Sequence, residues 1–448
     1  MTKDITNQDQ ERTKYVQLTT EILTLANKLG VTQAEVDIGA GVGLSVTARM
    51  GEVEKIEHER DKGLGVTVYI DNHKGSANTT DFSNKAINET VQAACHIARN
   101  TSRDDAAGLA DVELMALDIP DLDLYHPWGI SPDQAIATAI ECEQYARDYD
   151  PRIKNSDGAI VSTYSGIHVY GNTHGFVNGW NWSTHMIDCT MIAEQSGKMQ
   201  RDGWYSKTRA SGDLLTTEAI GKEAARRTVN RLDARKLTTR QCPVIFEAPV
   251  ASGLFSAFIT AISGGSLYRK ASFLLDKLHQ QVFSEHINIT EQPHLKRALG
   301  SAPFDNDGVA THTRDIIKDG ILQGYVLSSY SARKLGLQTT GNAGGVHNLV
   351  IQPHDKDLNT LLREMDRGLL ITDMIGFGVN QVTGDYSRGA SGFWIENGEI
   401  AYPVEEITVA GNLADMYLHI ISISNDVDWR GNILTGSVLI ENMTVAGE

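Results

Sequence analysis

The sequence predicts an α+β protein: an N-terminal α/β part with an antiparallel sheet, followed by a β-rich C-terminal domain. Three observations carry this. Apolar and polar residues alternate from Val36 to Ile70, helix-start signals stand at Ser83 and Ser131, and the second half consists of short apolar runs separated by glycine turns. At roughly 150 residues per domain, 448 residues allow two to three domains. The main boundary falls at about Arg235 to Gln241, where the chain turns polar before the apolar run Pro243 to Phe246. This gives an N-terminal region 1–237, with a sub-boundary open near 115–130, and a C-terminal domain 238–448.

Each element has its own signal. From Glu11 to Leu29, the residues Tyr15, Leu18, Ile22 and Leu25 recur at helical spacing, and Gly30 supplies a stop. Val36 and Ile38, the run Leu44 to Ala48, Val53 and Ile56, then Val66, Val68 and Ile70 read as half-buried strands. Ser83 caps a helix carrying Ile87, Val91, Ala94 and Ala98, and Ser131-Pro132-Asp133-Gln134 is a capping box with proline at the first helical position. Strands resume from Ala159 through Ile160, Ile167, Val169 and Phe176, with turns expected at Gly171 and Gly179. Thr217 opens a helix through Ile220, Ala224, Ala225 and Val229. Its Arg226, Arg227 and Arg231 read as solvated cations suited to the negative end of the helix dipole. Asp-Gly or Asn-Gly pairs ending at Gly158, Gly179, Gly203, Gly308, Gly320 and Gly398 predict hairpin turns. Further helices are expected at about Ala251 to Ile262, Leu267 to Leu278 and Asp357 to Met365.

Composition narrows the function. Lys+Arg 40 against Asp+Glu 57 leaves a net charge of −17, so a broad surface repels phosphate backbones and no nucleic-acid partner is expected. The polar stretch Met1 to Gln10 lacks the apolar core of a secretory signal, and the longest apolar run, Val250 to Ile262, is too short and polar to span a bilayer. No membrane association is expected. Cys95, Cys142, Cys189 and Cys242 form no CxxC pair and fit reduced, buried thiols in a cytoplasmic protein.

Known chemical motifs are missing. Zinc peptidase chemistry needs two imidazoles about a helical turn apart with a carboxylate base beside them, and no HExxH occurs. No G-x-S-x-G elbow is present, and Ser331-Ala332-Arg333-Lys334 matches S-x-x-K without a KTG partner. Gly39-Ala40-Gly41-Val42-Gly43-Leu44 lacks the last glycine of a dinucleotide fingerprint, and Asp305-Asn306-Asp307-Gly308 reads as a turn in place of a calcium loop. Two glycine-bearing segments suit peptide contact. The loop around Gly341, Asn342 and His347 lets backbone approach a ligand, and Gly384, Asp385, Tyr386 and Arg388 combine a glycine-flanked strand with residue types that carry interface energy. For each, an ordinary loop or bulged hairpin is the competing reading.

A set of segments resembles the TldD/PmbA family, and within it the PmbA branch, also called TldE. They are Arg49 to Glu54, Pro303 to Val309, Ile316 to Leu322, Ser329 to Gly336, Thr340 to Gly345 and Gly384 to Gly389, and the likeness runs over nearly the whole chain. The resemblance implies a two-part α+β fold and a cytoplasmic subunit that pairs with TldD in a metallopeptidase acting on unfolded peptides. In the TldD branch, His-Glu-x-x-x-His on a helix and a distant downstream cysteine hold zinc. The corresponding stretch here is Val244 to Leu254. In one register Phe246 and Ala251 occupy the histidine positions around Glu247; in the other, Glu247 and Ser252 occupy them. Both imidazoles are absent either way, and no cysteine follows Cys242.

The resemblance therefore implies no cofactor in this chain, with zinc in the TldD partner, and a non-catalytic subunit that shapes a peptide chamber. Whether the chain forms a homodimer in isolation stays open. Two alternatives remain: an independent hydrolase assembled from residues such as His168, His174, His347 and Asp385, and a regulatory binding protein linked to DNA gyrase modulation.

Overall fold

The alternation from Val36 to Ile70 folds into a long hairpin. In the computed structural model, which describes residues 2–447, α1 (Thr2–Lys28) leads into β1 (Gln33–Arg49), and β2 (Glu52–Ile70) returns antiparallel, with Val36 opposite Val66 and Ile38 opposite Leu64. Met1 and Glu448, and the side chains of residues 2–7, lie outside the description, so the reading of Met1 to Gln10 falls largely there. The N-terminal part continues with β3 (His73–Thr79), α2 (Asn84–Asn100), α3 (Pro132–Arg147), β4 (Ile153–Asn172), β5 (Val177–Gln195), β6 (Lys198–Thr208) and α4 (Thr217–Asn230). Its six strands form one antiparallel sheet in the order β3-β2-β1-β4-β5-β6.

One face of this sheet is covered by helices at both ends. Val36, Ile38, Leu64 and Val66 pack with Ile22, Ile87 and Val91 of α1 and α2, while Val46, Val161 and Cys189 pack with Ala139, Cys142 and Ile220 of α3 and α4. The helix starts have the chemistry read from sequence. Ser83 accepts from the Ala86 N–H, and Ser131 and Gln134 make the reciprocal capping box. At the hairpin tip, Met50 and Gly51 both have positive φ, and the buried Glu143 carboxylate on α3 accepts their N–H groups at 2.8 and 2.7 Å. The segment Arg49 to Glu54 is thus a turn clasped from below.

The C-terminal part begins with β7 (Arg240–Phe246), α5 (Ala248–Ala261), α6 (Gly264–Tyr268), β8 (Ile289–Glu291), β9 (Arg314–Lys318), β10 (Ile321–Leu322) and α7 (Ser329–Leu335). It continues with β11 (Leu349–Ile351), α8 (Leu358–Met365), β12 (Gly368–Ile375), β13 (Asp385–Glu396), β14 (Glu399–Asn412), α9 (Leu413–Leu418), β15 (Ile420–Ile423), β16 (Ile433–Leu434) and β17 (Val438–Ala446). Its larger sheet runs β14-β13-β12-β7-β17-β15, and a further β14–β17 pairing closes the first five strands on themselves. The smaller sheet runs β10-β9-β8-β11-β16. The largest core joins both sheets to α5 through Leu254, Phe255 and Phe258, each burial contributing roughly 1.5–3 kcal/mol. Among the described residues no helix is long and apolar enough to cross a membrane, and all four cysteines are free and buried.

Three expectations are corrected. No helix spans Leu267 to Leu278: α6 ends at Tyr268, and Lys270, Asp276 and His279 take positive φ, which breaks a helix. Gly158, Gly179 and Gly203 lie inside strands, where neighbouring strand atoms crowd the position a Cβ would take, as in Gly179 against the His168 carbonyl at 2.2 Å. Gly171 also lies within β4, and the turn expected there and at Gly179 is made at Gly175. Gly320 and Gly398 do turn hairpins, and Gly308 turns back to donate to the Asp305 carbonyl at 3.0 Å.

Candidate functional site

The stretch aligned with the zinc motif begins at the end of β7, where Phe246 is fully buried between β12 and β17. Glu247 follows as the first flank of α5, with Pro249 in the first turn. Both Glu247 oxygens accept from Arg227 of α4, at 2.8 and 3.0 Å, in a bidentate pair that is almost wholly buried. Arg227 also lies 3.5 Å from Asp202 and stacks 5.0 Å from the Trp204 ring centre. Arg231 extends the network to Asp202 and Asp373, each at 3.3 Å, and to the Ser391 hydroxyl at 2.7 Å. Here the reading of Arg227 and Arg231 as solvated cations is corrected. Carboxylates brought from β6, α5 and β12 surround them, and burial is tolerated because the charges pair.

Burial pushes the Glu247 carboxyl above the usual carboxylate range, and Arg227 pulls it partly back. Arg227 itself is held above its ordinary value, its burial outweighed by Glu247 and Asp202. Zinc does not fit this place. Phe246 and Ala251 offer no donor atoms, both Glu247 oxygens face a guanidinium, and the Ser252 hydroxyl donates to the Pro249 carbonyl at 3.0 Å. Among the described residues no group of three or more His, Cys, Asp or Glu side chains is placed to hold a metal ion.

Tyr386 and Arg388 belong to this same neighbourhood. The Tyr386 ring meets Phe246 edge-on at 6.4 Å, and burial pushes its hydroxyl up to about 12. Arg388 donates to the Gly376 carbonyl at 3.0 Å and reaches the α5 surface at Gly253. Gly384 takes positive φ just before β13, and the exposed Asp385 accepts from Thr383 at 2.7 Å.

Gly341, Asn342 and His347 lie elsewhere, around the buried carboxylate of Glu291 on β8. Glu291 accepts from Asn342 at 2.7 Å, from Arg314 at 2.9 Å, and from the His347 backbone N–H and ring Nδ1 at 2.8 and 3.0 Å. Burial alone would raise this carboxyl, but His347 and Arg314 hold it down to about 2. Next to it, Asp305 accepts three backbone N–H groups, from Asp307 and Val309 at 2.9 Å and Ala343 at 2.8 Å. Burial and the neighbouring Asp307 push Asp305 up to about 7. Asp307 in turn accepts the Ser329 N–H at 2.9 Å. The segments around 303–309, 329–336 and 340–345 therefore converge on one buried polar junction. Gly341 sits in it with positive φ, its backbone against Ala310, while the polar atoms of Asn342 point inward.

The scattered residues of the alternative hydrolase do not converge. His168 contacts Asp37 at 2.6 Å, His174 gives only its backbone N–H to the Asn172 side chain in the β4–β5 turn, His347 serves Glu291, and Asp385 serves its own turn. Sequence reasoning missed Asp202, Asp373, Glu291 and Arg314, because nothing local marks a carboxylate or arginine whose partner lies tens of residues away.

The scaffold so far is a six-stranded antiparallel sheet under helices, joined through buried ion pairs to a closed β-domain around α5. That scaffold is a metallopeptidase-family architecture. Residues 34–98, 125–232 and 239–447 match, in turn, domain 1, the central domain and the C-terminal domain of the PmbA/TldA metallopeptidases. A "Metalloprotease PmbA" of Escherichia coli O157:H7 is 52% identical over 415 residues, covering 93% of this chain and 92% of that protein. A "Metalloprotease PmbA homolog" of Haemophilus influenzae is 47% identical, covering 98% and 97%. This chain belongs to the TldD/PmbA family, in its PmbA (TldE) branch. Among solved structures, a putative modulator of DNA gyrase from Bacteroides thetaiotaomicron superposes with a TM-score of 0.92 at 28% identity, covering 96% of this chain and 98% of that one. TldE from Thermococcus kodakarensis shares the fold, with a TM-score of 0.84 at 20% identity, covering 96% of this chain and 100% of that one.

Proposed function

We propose that this chain is the non-catalytic subunit of a two-chain cytoplasmic peptidase, shaping the chamber and holding unfolded peptide while a zinc-bearing TldD subunit cuts it. The observation that carries this reading is the Arg227–Glu247 pair. The carboxylate in the zinc-motif stretch is already satisfied by a guanidinium, and the flanking positions are a phenylalanine and an alanine. Without metal ligands there is no metal-activated water, so hydrolysis requires the other subunit. What this chain supplies is shape: α5 remains a fully formed helix, locked on one side by Arg227 and on the other by Tyr417, whose hydroxyl donates to the Leu254 carbonyl at 2.8 Å.

The test is co-purification with TldD, followed by metal analysis and peptide-cleavage assays on the complex and on each half. The chain alone is expected to carry no stoichiometric zinc and to cleave nothing, while the complex cleaves and loses activity with a chelator. Chelator-sensitive cleavage by this chain alone would sink the reading.

A further inference from the structure

In the N-terminal sheet, β2 runs from Glu52 to Ile70, but β3 covers only Leu64 to Ile70. From Glu52 to Gly63 the outer edge of β2 has no strand partner among the described residues, while its inner edge pairs with β1 throughout. Residues 52–62 are exposed apart from the half-buried Glu57. Such an edge presents a row of N–H and C=O groups to any extended chain, and proteins usually shorten, bulge or cover it. Here the strand is long, the register shift is confined to the turn end at Thr47 and Ala48, and Glu143 anchors that turn.

The side chains along this edge sort by face. Residues directly opposite one another in the ladder share a face, so Glu57, Glu59 and Asp61 stand on the side of Ser45, Gly43 and Gly41, and His58, Arg60 and Lys62 on the other. Lys55, on the same face, already pairs with Glu57 at 2.6 Å, but among the described residues neither Glu59 nor Asp61 has a cation at ion-pair distance; Glu59 accepts only from the Tyr164 hydroxyl, at 3.4 Å. Beside these two carboxylates lies a groove of about 300 Å³, walled by Tyr164, His168 and Trp182. Its floor is bare backbone, since a Cβ at Gly39 or Gly63 would meet nothing within 4 Å.

The charge pattern decides the occupant. A second copy added antiparallel about a two-fold axis at Glu59 would set Glu59 against its own counterpart and Glu57 against Asp61, which is repulsive at each of these positions. An apolar strand would desolvate charges on both faces for no return. An extended segment with lysine or arginine at every second position meets the acidic face and lays its alkyl stems along the aromatic wall. We infer that the free edge of β2 takes up extended peptide by strand addition, selecting cationic side chains at alternate positions. This rests on the reading of the chain as a peptide-holding subunit and names the peptide class.

The test is hydrogen exchange on the full chain, alone and with TldD, with an octapeptide alternating lysine and threonine as the probe. Protection is expected to appear within residues 52–62 on adding peptide. Affinity should fall at least tenfold in E59Q/D61N, whose thermal midpoint stays unchanged. N-methylating alternate peptide nitrogens should abolish binding in one phase and spare it in the other, since only every second N–H faces the edge. Peptide binding that the double variant leaves intact, or protection that falls elsewhere, would overturn the edge assignment while leaving the peptide-holding reading standing. Failure of every peptide to bind either preparation would remove both. Concentration-dependent protection of 52–62 without peptide would place a second copy on the edge and overturn the proposal.

Discussion

Glu247 and Glu291 are both buried carboxylates facing an arginine, yet the first is pushed above the ordinary carboxylate range and the second is held at about 2. The difference lies in the donors. Among the described residues, Glu291 collects four hydrogen bonds from three partners, whereas Glu247 depends on Arg227 alone and has Asp202 and Glu223 as like-charged neighbours. Burial costs about the same in both places; only the number of groups arranged to meet the charge differs. The Glu291 junction is a structural knot, and the Glu247 pair is a single cation balancing a crowded acidic neighbourhood.

The comparison is tested hardest at Glu291. Glu291→Ala strands Arg314 and orphans the Asn342 and His347 donors, and is expected to cost about 3–5 kcal/mol in urea unfolding. Next comes Arg227→Met, which leaves Glu247 and Asp202 uncompensated and should cost about 3 kcal/mol, with Arg227→Met/Glu247→Leu recovering most of it. A double variant no more stable than the single would show that Glu247 is not the group Arg227 serves.

A pH series separates Glu291 from Asp305 by sign. Glu291 has a depressed value, so its contribution is present above its unfolded value near pH 4.5 and is lost at up to about 1.4 kcal/mol per pH unit as pH falls toward 2. Asp305 has a raised value, so the native state binds the extra proton between about pH 4 and pH 7, and stability gains there as pH falls. Asp305→Asn should flatten the upper limb and leave the acid limb in place; urea midpoints across pH 3 to 8 measure both. The smallest effect belongs to an exposed pair for contrast: Lys222→Ala, losing the Glu218 contact on α4, should leave the urea midpoint where it is.

How much the sequence disclosed follows the range of the interaction. Ser83 and Ser131 announced their helices because a cap is settled within four residues. The hairpin β1–β2 was legible because alternation is local. The expected helix at Leu267 to Leu278 failed because its apolar residues pack in loops with Lys270, Asp276 and His279 at positive φ, a tertiary outcome without a local sign. The candidate site was legible only as an absence of imidazoles at Phe246 and Ala251. What fills the place is an arginine on another helix, read as solvated because Asp202, Glu247 and Asp373 are distant in sequence. Gly341, Asn342 and His347 were noticed for their composition, which marks a tight loop but does not reveal that its polar atoms turn toward Glu291.

One feature of the C-terminal sheet sets the order in which the molecule can be made. Strand β17 lies between β7 and β15 and also meets β14, so the first and last strands of this domain are neighbours. A ribosome releases residues 240–246 long before 438–446, and until the latter arrive β7 lacks one of its two flanking strands and the sheet cannot close. The nascent chain must therefore keep Phe246 and the α5 surface from sticking elsewhere for about two hundred residues of synthesis, and losing the final strand would remove the seam that shuts the whole domain.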